Sequence, residues 1–245
     1  MHLILTGATG LVGSGVLDAM LKNSAVSKIS ILSRRPVPMA DQDTRVKVYQ
    51  QKDLSKIDTG VLNELKGAKG CVWALGVSQT AVGKEEYVKI THDMTMDAAS
   101  AFANLSPSFN FVFVSGEGAT HTPGLFSAIF ARVKGQTELD LLDFSKQHQG
   151  FNTYALRPAM VDQTYHEAIH PYTPKVSSVR RMFNTSLRPA LRLLSSNIIS
   201  PTDHLGRVLV DLALSDGKPL EGVGIEGEGR IITNQGMRRL AGLSY

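Results

Sequence analysis

The sequence predicts an α/β fold of the Rossmann type: a doubly wound parallel sheet with a small irregular C-terminal lobe. Three observations carry this expectation. Short β-rich runs alternate with stretches of helical hydrophobic spacing through the first two thirds of the chain. The first run passes directly into a glycine-rich turn, TGATGLVG at 6–13, and then into a helix pattern. The fifth run, NFVFVS at 110–115, is apolar almost throughout, as a strand covered on both faces should be.

The elements follow in order. HLILT at 2–6 reads as the first strand. Val12, Val16, Ala19 and Met20 recur at helix spacing and give the first helix. KISILS at 28–33, VKVYQ at 46–50 and CVWAL at 71–75 read as strands two to four. Met94, Ala98, Ala101, Phe102 and Leu105 mark one helix face, and Phe126, Ile129, Phe130 and Val133 mark the next. NTYALR at 152–157 is the sixth strand, closed by Pro158. Beyond it the pattern loosens and is punctuated by Pro171, Pro174, Pro189 and Pro201. The last clear helix carries Leu205, Val208, Leu209, Leu212 and Ala213, with Pro201 at its entrance. No repeat and no linker divides the chain, so residues 1–245 read as one domain of about six or seven strands.

Composition narrows the function. Hydrophobic residues are 42% and charged residues 20% of 245, which is ordinary globular usage. No run of 18 apolar residues is present, so no membrane-spanning helix is expected. A cleaved leader is not expected, because the glycine motif starts at residue 7. One cysteine, Cys71, permits neither an intrachain disulfide nor a cysteine metal cluster, and no metal site is expected. A reducing, cytoplasmic setting is the default. The net charge of +4 belongs to one segment: from Ala168 to Thr202 there is no acidic residue, yet Lys175, Arg180, Arg181, Arg188 and Arg192 lie there. A nucleic-acid footprint over the whole surface is therefore not expected.

The glycine turn points to a dinucleotide. Gly7 would supply a tight turn, Gly10 would admit a pyrophosphate, and Gly13 would let the helix pack on the sheet. Thr9, Leu11 and Val12 complete the strand-to-helix turn, which aims backbone N–H groups at an anion. The second strand ends in Ser33-Arg34-Arg35-Pro36. A site selecting NAD usually has an acid there for the ribose 2′-hydroxyl, whereas two guanidinium forks suit a 2′-phosphate. The expectation is NADP(H).

These motifs resemble the short-chain dehydrogenase/reductase superfamily, in its atypical, epimerase-like branch of Tat-interacting-protein-type and NmrA-like members. The likeness runs from Met1 to about Ala159. It is carried by TGATGLVG at 6–13, SRRP at 33–36 and Lys52-Asp53-Leu54. It continues through Ala74-Leu75-Gly76, Val114-Ser115-Gly116, Arg132-Val133-Lys134-Gly135 and Leu156-Arg157-Pro158. The resemblance implies that Asp53 and Leu54 border the adenine, and that Leu75 and Gly76 run along the ribose and pyrophosphate. It places Ser115 and Lys134 beside the nicotinamide ribose as catalytic residues, and Pro158 beside the nicotinamide. It further implies that residues 1–159 form the cofactor-binding core, that 160–245 cover the substrate, and that the chain pairs into homodimers. Many relatives have glycine where Ala159 stands.

One departure matters most. The family's oxidoreductases place a tyrosine four residues before the lysine, and this position is Phe130. Phenylalanine has no dissociable proton and cannot be a general acid. Either another donor serves, with Ser115, a water on Lys134, Glu117, His121 and Thr122 as candidates, or carbonyl reduction has been lost. The leading expectation is an NADP(H)-dependent oxidoreductase-like enzyme acting on a small organic substrate. The alternatives are an NADP(H)-sensing binding protein and a non-redox isomerase, dehydratase or cyclase. For the basic segment three readings stay open: a helix with a solvated basic face, a cationic flap over an anionic substrate, and peripheral contact with an anionic membrane.

Overall fold

A computed structural model describes residues 1–41, 43–173 and 196–244. The basic cluster of Lys175, Arg180, Arg181, Arg188 and Arg192 lies outside the described residues, as does the flap expected there.

Six parallel strands build the centre: β1 (His2–Thr6), β2 (Lys28–Ser33), β3 (Val46–Gln50), β4 (Gly70–Trp73), β5 (Phe109–Val114) and β6 (Phe151–Leu156). Two more were not expected from the sequence, β9 (Ile225–Glu226) and β10 (Ile231–Ile232). The spatial order is β3-β2-β1-β4-β5-β6-β10-β9, with β10 parallel to β6 and β9 antiparallel to β10. A separate parallel pair joins β7 (Met160–Asp162) to β8 (Ile199–Pro201). The order reverses between β1 and β4, the switch point where open α/β sheets open a crevice at the carboxyl ends of their strands.

Helices cover both faces. On one lie α1 (Leu11–Lys22), α6 (Thr202–Leu214) and α7 (Asn234–Leu240); on the other lie α2 (Thr59–Leu65), α4 (Met94–Phe102) and α5 (Ile129–Gln147). A short α3 (Lys84–Val88) and one π-helical turn (Lys89–Asp93) lead into α4. Strand alternation sorts the core. Phe109, Phe111 and Phe113 of β5 face α4 and α5, while Val112 faces α1 and α6. Asn110, on the α6 side, is buried yet satisfied: its amide donates to the carbonyls of Leu212, Ala213 and Ser215 where α6 ends.

Helices α1 and α6 cross at glycines. A Cβ on Gly206 would lie 2.3 Å from the Gly15 carbonyl oxygen, and one on Gly15 would lie 2.8 Å from that of Thr202. The stretch Gly13–Met20 of α1 is buried throughout, sandwiched between α6 and the sheet. The C-terminal third supplies two strands and two helices to the main body.

One helix starts later than its apolar spacing suggests. α5 begins at Ile129, and Phe126 stands on the preceding loop with its side chain fully exposed, beside an exposed Leu125. Arg132 braces that loop through the carbonyls of Gly124, Leu125 and Ser127. No helix of the described residues is long and apolar enough to cross a membrane.

Candidate functional site

A cleft follows the carboxyl edge of the sheet as three adjoining recesses that share Leu75 and Gly76. The smallest, of about 200 Å³, is bounded by Gly7, Thr9, Gly10, Ser33, Arg34, Arg35 and Leu54. A second, of about 600 Å³, holds Arg34, Arg35, Lys52, Asp53, Leu54 and Lys89. The third, of about 690 Å³, runs past Gly10, Leu11, Val12 and Gly13 to Ser115, Lys134 and Pro158. The residues expected to touch a cofactor, with Ser115 and Lys134, thus line these adjoining recesses, whereas the further donor candidates Glu117, His121 and Thr122 do not.

The glycine turn is built for close approach. Gly7 has φ +70, and a Cβ on it would lie 2.2 Å from the Ala74 carbonyl oxygen. A Cβ on Gly13 would lie 2.0 Å from the Gly7 carbonyl oxygen. Gly10 differs: its Cβ would meet only that same oxygen, at 3.2 Å, so its other side is open to the cleft. Gly10 caps α1 without a side chain, and the first turn carries no acid, so the helix N-terminus faces the groove with its N–H groups and positive end unmet. Thr6 Oγ1 accepts the Leu75 N–H at 3.2 Å and pins the two walls together.

Arg34 and Arg35 are exposed, and neither guanidinium has an ion partner among the described residues. Ser33 plays a different part from the one expected. Its hydroxyl donates to the Arg35 carbonyl at 2.7 Å and accepts the Arg35 N–H at 3.2 Å, so it shapes the turn that carries the two arginines. Asp53 accepts the Ser55 N–H at 2.8 Å, and this bond holds its carboxyl below the usual range. An uncapped helix end in a glycine cradle, with cationic side chains one strand away, fits the phosphates of a dinucleotide.

At the far end, Lys134 comes from α5, four residues after Phe130. Its ammonium donates to the carbonyls of Ser115 and Val114. Gly116 runs beside it, with Nζ 3.5 Å from where a Cβ would stand, an ordinary contact distance. Burial pushes Lys134 down to about 8, against the opposing pull of Glu138 one turn along. Phe130 lays its ring against Gly118, and its N–H donates to Gln79 Oε1 at 3.1 Å.

Ser115 corrects an expectation. It is buried, and its hydroxyl donates to Glu138 Oε1, so it presents no donor to the cleft. Glu138 is the centre of a network that sequence reasoning missed. Its carboxylate, with no exposed surface, also takes Arg157 in a two-pronged bond (Nε to Oε1 at 2.9 Å, Nη2 to Oε2) and meets His121 Nε2 at 2.8 Å. Desolvation pulls the Arg157 guanidinium down, but Glu138 outweighs it and holds the group above its usual value. Arg157 reaches on to Glu226 of β9 at 3.2 Å. Glu138 lies four residues after Lys134, so helical spacing was the one signal for it. Glu117, another proton-donor candidate, accepts the backbone N–H of Asn234 at 3.1 Å at the start of α7. Thr122 is exposed and does not line the cleft.

No family model matches the chain. It is 38% identical to leucinostatins biosynthesis cluster protein T of Purpureocillium lilacinum, over 97% of this chain and 94% of that protein. It is 44% identical to botcinic acid biosynthesis cluster B protein 16 of Botryotinia fuckeliana, over 62% of this chain and the whole of that one. It is 29% identical to protein FMP52, mitochondrial, of Kluyveromyces lactis, over 89% and 92%. Among solved structures, a short-chain dehydrogenase/reductase family oxidoreductase from Burkholderia thailandensis superposes with TM-score 0.68 at 13% identity, over 100% of this chain and 98% of that one. The Bordetella bronchiseptica enzyme WbmF, solved in complex with NAD+, gives 0.66 at 12% identity, over 100% and 79%. The chain belongs to one family with leucinostatins biosynthesis cluster protein T, and its fold is that of the short-chain dehydrogenases/reductases.

Proposed function

We propose that the protein is an NADP(H)-dependent oxidoreductase that acts on a small organic molecule. The observation that carries this is the uncapped α1 N-terminus in its glycine cradle, with the free guanidinium groups of Arg34 and Arg35 at the next strand end. The bound cofactor would supply or accept hydride at the nicotinamide C4. The α1 N–H groups would hold the pyrophosphate and Arg34 and Arg35 the 2′-phosphate, with Lys134 beside the nicotinamide end. Leu11, Val12, Val77, Val114, Pro158 and Met160 give this recess an apolar wall suited to the body of an organic substrate. The names of two relatives, both biosynthesis cluster proteins, support a role in making a small organic product. Fluorescence titration tests the reading: NADPH should bind at least about tenfold more tightly than NADH, and R34A/R35A should erase the difference. Equal affinities would remove the NADP(H) assignment.

Phe130, together with a Ser115 hydroxyl committed to Glu138, favours a second reading in which the cofactor is sensed rather than turned over. Stereospecific deuterium transfer from labelled NADPH into a product separates the two. The name of the FMP52 relative supports a mitochondrial setting, which imaging of a tagged chain would check.

A further inference from the structure

Among the described residues, few groups near the nicotinamide end can move a proton. Among the described residues lining the 690 Å³ recess, Lys134 is the one titratable side chain, and the polar ones beside it are Ser78 and Ser115. The Ser115 proton points to Glu138, and Phe130 carries none. Glu117 accepts the first N–H of α7 and His121 is engaged by the Glu138 carboxylate, and neither lines the recess. The Lys134 ammonium has two carbonyl acceptors behind it and one further N–H.

We infer that Lys134 itself hands the proton to the substrate oxygen, and that buried Glu138 is the positioning residue that keeps it loaded. This inference rests on the oxidoreductase reading above. The step balances without another group. The carbonyl carbon gains hydride as NADPH becomes NADP+, the C=O π pair moves to oxygen, and oxygen takes a proton from Nζ. Lys134 is left as a neutral amine held by the Ser115 and Val114 carbonyls, and water from the cleft reprotonates it.

The surroundings suit this role. A free lysine, near 10.4, holds its proton too tightly to be a good acid at neutral pH. Burial brings this one to about 8. Glu138, on the same helix, opposes further loss, and its charge is shared with Arg157 from β6 and His121 from the loop after β5. The β5 end gives Lys134 its two carbonyls and Glu138 the Ser115 hydroxyl. A carboxylate held by three donors thus tempers the lysine without forming a direct pair that would lock its proton.

Two measurements on the whole protein test this without a known substrate. Competitive acetylation with acetic anhydride, read by mass spectrometry, gives the pH midpoint of each lysine. Lys134 should label with a midpoint near 8, exposed lysines above about 10. NADPH should slow Lys134 labelling at least about tenfold by covering it. E138Q should move the midpoint to lower pH, while E138D, which keeps the charge and folds if E138Q does not, should leave it in place. Calorimetry in two buffers of different ionisation heat then follows protons on cofactor binding. At pH 8, NADP+ with its cationic ring should expel part of a proton where NADPH does not, and K134R should abolish the release. A Lys134 midpoint above about 10 with NADPH still bound would overturn the acid and spare the oxidoreductase reading. Proton release that persists in K134R would do the same. Absence of any NADPH binding would instead overturn the oxidoreductase reading.

Discussion

At the scale of single residues, the three loop glycines separate stability from binding. Gly13→Ala forces a Cβ to 2.0 Å from the Gly7 carbonyl oxygen, so it should cost about 1–3 kcal/mol in denaturant melts. Gly10→Ala meets one backbone oxygen at 3.2 Å and swaps the cap residue of α1, so it should cost less than Gly13→Ala, about 1 kcal/mol or under, and still lose at least about tenfold in NADPH affinity. A G10A chain that binds NADPH normally would mean the turn does not cradle the pyrophosphate. The cofactor residues were legible because a glycine motif is a backbone requirement, visible in the residue type itself. Ser115 was not legible in the same way. Its position is set by β5, but where its hydroxyl points depends on Glu138, which arrives from another element. Arg157 stood in plain view in the LeuArgPro motif, yet only the fold shows that it locks Glu138.

At the scale of elements, the first three strands match their sequence patterns residue for residue, and the next three differ by one or two positions at their ends. Strands β7 to β10 were invisible because two or three residues carry no periodicity. Phe126 misled because its spacing continues the α5 stripe, whereas the turn after Pro123 keeps it off the helix. The π-helical turn makes its own contact. His92 Nε2 reaches Asp140 of α5 at 2.7 Å, and Nδ1 reaches Asp93 at 2.8 Å. Desolvation pulls His92 down, but the two carboxylates outweigh it and raise its pKa. A raised folded value means the clamp stabilises fully below the unfolded histidine value of about 6.5 and fades as pH rises through the folded one. The difference in Tm between wild type and H92Q should therefore be largest near pH 5.5 and shrink by pH 8.5. A difference that grows with pH would refute the clamp.

At the scale of the whole molecule, one buried carboxylate ties β5, α5, β6 and the β9 edge together. Removing a single partner strands the other charge in the interior. Glu138→Ala should therefore lose about 3–5 kcal/mol, and all probes of unfolding should shift together. A loss confined to the cleft, with the global transition unmoved, would contradict this. Cys71 is buried and its thiol is pushed well above its ordinary value, so it should resist thiol reagents until the chain unfolds. The expected division at residue 159 follows sequence motifs and not folding, because α6 and β10 complete what the first half begins. The glycine crossing of α1 and α6 carries this into biosynthesis. Gly15 leaves the ribosome 191 residues before its partner Gly206, a lag of roughly 10–40 s at ordinary synthesis rates. Through that interval the nascent α1 displays an uncovered apolar flank, so the earliest-made motif of the chain is among the last to mature, and that window is where chaperones would be needed.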